Sequence, residues 1–338
     1  MMWNEEKAEK IIEKYKNRFS LRLTFKIIRV TVAIFLLYSI YMISLSILYE
    51  ASNIGERTEF YQQLAIDWTS PDLSIGAARS SSNEITPFLT QKIEFPLEKR
   101  IGSEDYVVSQ LKLRKTFITA FTHVEIEKSY PYNSMKRGFY FDLPYHPNYG
   151  SKLDGSDYPG TWNTLEKIDE GNVAELAFST EEYYSPKEIV QLLSPYDLDI
   201  VWMPLYTGEL KKFTEGGWGR GGNSIALYHP WGLSWARITS NDFKSSSLVT
   251  KLAVNSVEES QQAMLDNMQM MLKGNKKLAE VLLDTSHLQE RYDYLNEEGF
   301  QAYGAVVTGP VKELLKLKEL KEIRSAQLGE ITYWNWNE

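Results

Sequence analysis

Apolar residues are patterned in three ways along this chain, and each pattern predicts a different element. From Val30 to Tyr49 (VTVAIFLLYSIYMISLSILY) no charged residue, Pro or Gly occurs. As a helix this run is long enough to cross a bilayer core of about 30 Å, and it satisfies its own backbone there. It therefore predicts a transmembrane helix. Ser39, Ser44 and Ser46 are tolerated within it because a hydroxyl bonds back to a carbonyl one turn earlier.

Ahead of that run, between Asn4 and Leu23, apolar residues recur at Ala8, Ile11, Ile12, Tyr15, Phe19 and Leu23. These offsets draw one stripe on a helix. Lys and Glu fill the other faces, with Glu6 and Lys10 at the supportive i, i+4 spacing. Such a stripe has two possible destinations, the inner leaflet of the membrane or a groove on a cytoplasmic partner.

Beyond the apolar run the period changes. From Ala51 to about Gly160 the pattern predicts strands and turns: Ile93, Phe95 and Leu97 share one face, and Phe117, Thr119 and Phe121 continue into Val124 and Ile126 with a switch of face. Prolines punctuate this segment, and the Pro-, Gly- and Tyr-rich stretch from Tyr130 to Trp162 predicts a long loop or a junction. Then NVAELAFS (Asn172 to Ser179) reads as a strand. Ser185-Pro186-Lys187-Glu188 is a capping box with Pro at the first helical position, and LDIVWMPLY (Leu198 to Tyr206) is a second strand. The same strand, helix, strand order closes the chain, with AYGAVVT at Ala302 to Thr308, a helix from Gly309-Pro310 through Lys318, and a strand in Gln327 to Trp336. Between the two units, Ser256 with Glu259 predicts a capped helix carrying Val257, Met264, Met268 and Met271, and shorter helical stretches run through Ala279 to Leu283 and Leu288 to Leu295.

The fold class expected is therefore α+β. A single transmembrane helix precedes a strand-rich segment and an α+β C-terminal domain with two strand-helix-strand units, its helices on one face of a mixed sheet. The corresponding parts are a leader at 1–26, a span at 27–49, a strand-rich segment at 50–160 and the C-terminal domain at 161–338.

Charge gives this arrangement a direction. Lys7, Lys10, Lys14, Lys16, Arg18, Arg22, Lys26 and Arg29 precede the span, whereas Arg57 faces Glu50, Glu56, Glu59 and Asp67 just after it. The positive-inside rule places the N-terminus in the cytoplasm and the bulk of the chain outside, as a single-pass protein of the cell membrane. Leu48, Tyr49 and Glu50 are not a small-residue cleavage site, so the span is read as an uncleaved anchor. The net charge of -8 argues against direct nucleic-acid binding. The absence of Cys excludes disulfides and thiolate metal sites.

Catalytic patterns are thin. His123, His146, His229 and His287 lack ligand spacing. Glu215 to Asn223 (EGGWGRGGN) lacks the Gly-Lys-Ser/Thr ending of a phosphate loop, and no nucleophile elbow is present. Met264, Met268, Met270 and Met271 read as core packing ahead of an adaptable binding face. No cofactor is expected, and the chain is not expected to be an enzyme.

The stretches GNVAELAFS, SPKE, DIVWMPLYTG, YGAVVTGPVKELLKLKEL (Tyr303 to Leu320) and GEITYWNW (Gly329 to Trp336), in that order, resemble the C-terminal domain of the sigma factor regulator family. The basic leader and span are similar to that family's N-terminal domain. The resemblance implies a membrane-spanning anti-sigma factor of the kind found in Firmicutes, which restrains an extracytoplasmic-function sigma factor and registers envelope state outside. Carried onto this chain, Ile11, Ile12, Tyr15 and Phe19 become the partner-binding surface. The leader is short for that family, which adds a second small membrane protein to the expected partners. A membrane-anchored extracellular binding module, for cell-wall material or an exported protein, is the competing reading.

Overall fold

The computed structural model describes residues 5–76, 82–116, 122–127, 138–156, 158–214, 219, 223–248 and 251–333. The chain divides into two compact units, Met1–Ile54 and Gly55–Glu338.

The first unit is a helix. Leader and span form one element, α1 (Glu5–Ala51), of 47 residues, about 70 Å long at 1.5 Å per residue. No Pro or Gly interrupts it. Thr24 and Ser39 donate their hydroxyls to the carbonyls of Ser20 and Phe35 four residues back, at 3.0 and 2.9 Å. That is how hydroxyls are accommodated in an apolar helix.

The second unit begins with a departure from the expected strands and turns, since α2 (Ile54–Thr69) is a helix. Phe60, Tyr61, Leu64, Ala65 and Trp68 are buried along one side, at the offsets of a 3.6-residue period. A strand-rich sheet follows: β1 (Ser82–Ile85), β2 (Thr90–Ile101), β3 (Glu104–Thr116) and β4 (Thr122–Glu127), hydrogen-bonded in chain order as an antiparallel meander. Ile93, Phe95 and Leu97 point into the core while Lys92 and Glu94 are exposed, as the alternation predicts. Phe117, Thr119 and Phe121 lie outside the described residues.

Next come α3 (Gly160–Leu165), β5 (Asn172–Tyr184), α4 (Pro186–Leu193), β6 (Asp199–Tyr206), β7 (Trp231–Leu233), β8 (Arg237–Thr239) and β9 (Ser246–Leu248). The chain ends with α5 (Val257–Lys273), α6 (Lys276–Leu282), α7 (Leu288–Glu298), β10 (Gln301–Pro310), α8 (Val311–Lys316) with a 3-10 turn to Glu319, and β11 (Ile323–Tyr333). The sheet order is β11-β5-β10-β6-β7. Every pairing in it is antiparallel, so the expected mixed sheet is corrected. The two strand-helix-strand units are β5-α4-β6 and β10-α8-β11. In each, the two strands run parallel but admit one strand of the other unit between them, and that strand supplies the antiparallel partners. This interlocking gives the strand order of the split β-α-β, ferredoxin-like motif.

The predicted capping box of α4 is present. Ser185 accepts from the Glu188 amide at 3.3 Å, and Glu188 accepts from the Ser185 amide at 2.7 Å. The expected box at Ser256 is not. There the hydroxyl donates to the Lys251 carbonyl at 2.6 Å and accepts from the Ala253 amide at 3.1 Å, tying the loop before α5 rather than the helix end.

The sheet is covered on both faces. Ala174, Leu176 and Phe178 of β5 with Ala305 and Val307 of β10 join one core, which also takes side chains from α2, α4, α5, α8 and the first sheet. The alternate residues Ala177 and Val306 join a second cluster with Trp202, Phe141, Leu143, Ile225 and Leu227. Met264, Met268 and Met271 are buried in the first core, in keeping with the packing reading. Gly304 of β10 lies between these layers: a Cβ there would stand 2.3 Å from the Phe178 carbonyl oxygen of the neighbouring strand and 3.0 Å from the Phe141 ring. Gly304→Ala is therefore expected to lower unfolding free energy by about 2 kcal/mol, as overpacking against fixed backbone does. Denaturant unfolding of the two proteins checks it, and an unchanged midpoint would contradict this close approach.

Candidate functional site

The leader half of α1 keeps its apolar stripe uncovered. Ile11, Ile12, Tyr15 and Phe19 are 56%, 66%, 71% and 71% exposed, and at 3.6 residues per turn they share an arc of about 100°. Eight basic and four acidic residues lie between positions 5 and 29. A helix that continued from a span and then lay flat on the leaflet would have to turn sharply, and sharp turns come from Pro, from Gly/Ser pairs or from bulges. The unbroken α1 has no such break between Glu5 and Arg29. The stripe thus runs along an extension of the spanning helix, about 38 Å for 25 residues.

The second unit is organised by three buried ionic centres that hydrophobic periodicity does not reveal. In the first, Asp67 at the end of α2 accepts from Arg237 of β8, with Nε to Oδ2 at 2.7 Å and Nη2 to Oδ1 at 3.3 Å. Both side chains are almost fully buried. The same guanidinium donates to the Ile75 carbonyl at 2.8 Å, and the Trp202 indole donates to the Asp67 carbonyl at 3.1 Å.

In the second centre, Lys99 of β2 stands 2.9 Å from Glu175 of β5, 3.1 Å from Asp72 and 3.7 Å from Glu330 of β11. Glu175 is wholly buried, and burial pushes its carboxyl up to about 7 against the opposing pull of Lys99. Burial alone would lower Lys99, but Glu175, Asp72 and Glu330 outweigh it and hold the ammonium above its usual range. One cation among three carboxylates is an arrangement in which the most buried acid retains its proton longest.

In the third, Arg291 of α7 is buried between the rings of Phe213 and Trp231, at 4.9 and 4.6 Å from the ring centroids, and donates to Thr207 and Glu209. Burial also raises the hydroxyls of the neighbouring Tyr206 and Tyr303, which stay protonated.

The histidines do not assemble. His229 is exposed, His146 rests on Tyr149, and His287 stacks on Phe213 at the start of α7. The side chain of His123 and most of EGGWGRGGN lie outside the described residues. Among the described residues no group of three or more His, Asp or Glu could hold a metal ion.

One apolar helix long enough to cross a membrane, a basic amphipathic leader continuous with it and an α+β unit beyond it define a membrane-anchored protein. The chain belongs to the sigma factor regulator family, whose N-terminal description matches residues 9–106 and whose C-terminal description matches residues 165–330. That membership places it among regulatory proteins. It is also similar to the probable anti-sigma-M factor YhdL of Bacillus subtilis (strain 168), with 28% identity over 249 residues that cover 72% of this chain and 60% of the relative. The chain thus spans about 60% of the length of that relative. No solved structure matches it.

Proposed function

We propose that this protein is a membrane-anchored anti-sigma factor. Its leader lies in the cytoplasm and holds an extracytoplasmic-function sigma factor off RNA polymerase, and its α+β unit lies outside and registers envelope state. The observation that carries this reading is the exposed stripe Ile11, Ile12, Tyr15 and Phe19 on a helix continuous with the span. It is supported by the family match across both regions and by the likeness to a probable anti-sigma-M factor. The eight basic residues on the leader support the orientation.

Four such side chains, at about 1.5 to 3 kcal/mol each when buried, exceed the lower range of association costs, about 4 kcal/mol. A helix laid in a groove of the sigma factor would draw most of its affinity from these four side chains. A second small membrane protein would add affinity by tethering.

The test is capture of the intact protein from its own membranes, compared with protein lacking residues 1–25. A sigma factor present in the first sample and missing from the second supports the reading. Ile11→Glu and Phe19→Glu are each expected to weaken that capture about 30-fold or more, the loss of one buried side chain. Equal capture by both variants would remove the stripe as the contact. Partners that are all extracytoplasmic, and equal in both samples, would instead favour the anchored binding module.

A further inference from the structure

Where the tip of β2 approaches α4 and β6, the surface of the second unit opens into a cleft of about 190 Å³. Its walls are largely apolar, with Leu193 from α4, Ile200 from β6, Trp235 and Leu252 among them. Three charged side chains line it: Arg100, Asp199 and Lys251. Asp199 bridges the two cations, 3.2 Å from Arg100 Nη2 and 3.1 Å from Lys251 Nζ, so the lining holds one positive charge in excess. Arg100 also pairs with Asp105, 3.9 Å from its Nη1, which is not part of the lining. The Arg100 guanidinium lies over the Trp235 ring, 5.9 Å from its centroid, and its Nε is buried without a hydrogen-bond partner. A buried donor left in that state costs free energy until something accepts from it or displaces its neighbours.

Size restricts the occupant. Sites for drug-sized ligands run from about 300 Å³ upwards, whereas a cavity of about 150 Å³ takes benzene. The cleft therefore suits one large apolar side chain and a small anionic head, and a membrane fatty acid would overrun it. We propose that it binds the carboxyl-terminal residue of a polypeptide, with the apolar side chain against Leu193, Ile200 and Leu252 and the free carboxylate between Arg100 and Lys251. Capture of a terminal carboxylate is a recurring mode of peptide recognition. Within the lining two cations share one acid, so the incoming carboxylate would be the second acid facing them there. This goes beyond the anti-sigma reading and does not depend on it.

The test uses the full chain in nanodiscs, titrated calorimetrically with N-acetyl-leucyl-phenylalanine, with its C-terminal amide and with laurate. The acid is expected to bind about tenfold more tightly than the amide, the size of a charge-assisted hydrogen bond. Lys251→Gln, at an exposed side chain whose loss leaves the fold intact, is expected to remove most of that difference without changing amide binding. Equal affinity for acid and amide, no binding of either at millimolar concentration, or laurate binding more tightly than the peptide acid would each overturn the proposal. So would a Lys251→Gln protein that retains the full preference for the acid.

Discussion

Arg237→Met is expected to destabilise the second unit by about 3 to 5 kcal/mol, the range for removing one partner of a buried ion pair. The methionine fills most of the space but leaves the Asp67 carboxylate, 5% exposed, without its bidentate donor. It also removes the donor to the Ile75 carbonyl. The pair matters beyond its own free energy because it joins α2, in the segment matched by the N-terminal family description, to β8, in the segment matched by the C-terminal one. Asn267 of α5 holds the Arg237 carbonyl at 2.8 Å and extends the tie to a third element. Denaturant unfolding of the wild type, Arg237→Met and the double variant Asp67→Asn/Arg237→Met measures the effect. The double variant should recover part of the loss, because asparagine removes the buried charge that the single variant strands. If the single variant unfolds like the wild type, the ion pair does not hold these elements together.

Glu175 is expected to make stability fall as pH rises. Its carboxyl titrates near 7 in the folded protein because of burial, well above the 4.5 of an ordinary glutamate. Below about pH 4.5 both states hold the proton, and the full contribution is present. Between 4.5 and 7 the unfolded chain releases its proton while the folded chain keeps it, so stability declines with rising pH and levels off above 7. The span corresponds to about 3 kcal/mol. Lys99, whose value is also raised, acts in the same sense but in another window: its contribution is complete at neutral pH and is lost only in strong alkali. The quantity to measure is the difference between the wild type and Glu175→Gln across pH 4 to 8, which removes the contribution of groups common to both. A difference that declines with pH supports the assignment. A flat difference would mean that Glu175 is ionised throughout and fully compensated by Lys99.

Much of the architecture is legible in the sequence because it depends on local pattern. The uncharged run of Val30 to Tyr49, the capping box at Ser185 to Glu188 and the alternation in Ile93 to Leu97 each form what their spacing predicts. Helix α2 is missed because the whole segment from Ala51 to about Gly160 reads as strands and turns on its prolines and on the period-two alternation further along. The 3.6-residue spacing of Phe60, Leu64, Ala65 and Trp68 nevertheless marks the helix. Ser256 misleads for a different reason: its hydroxyl has a nearer partner in the preceding loop than in its own helix.

The candidate surfaces divide in the same way. The stripe of Ile11, Ile12, Tyr15 and Phe19 is found by periodicity because it lies on a single helix. Asp67 with Arg237 and Lys99 with Glu175 are not found, since each pair is separated by many residues and either charge alone resembles any solvated one. The cleft at Arg100, Asp199 and Lys251 is hidden for the same reason.

The anchor, the basic leader, the apolar stripe and the type of most elements follow from hydrophobic spacing and charge along a single stretch of chain. How β5-α4-β6 and β10-α8-β11 interlock, which carboxylates are withdrawn from water and where two cations converge on one acid emerge only from the packing of distant segments. Those outcomes depend on which distant segments are brought together, and the free energy of a buried charge is set by neighbours that no local pattern specifies.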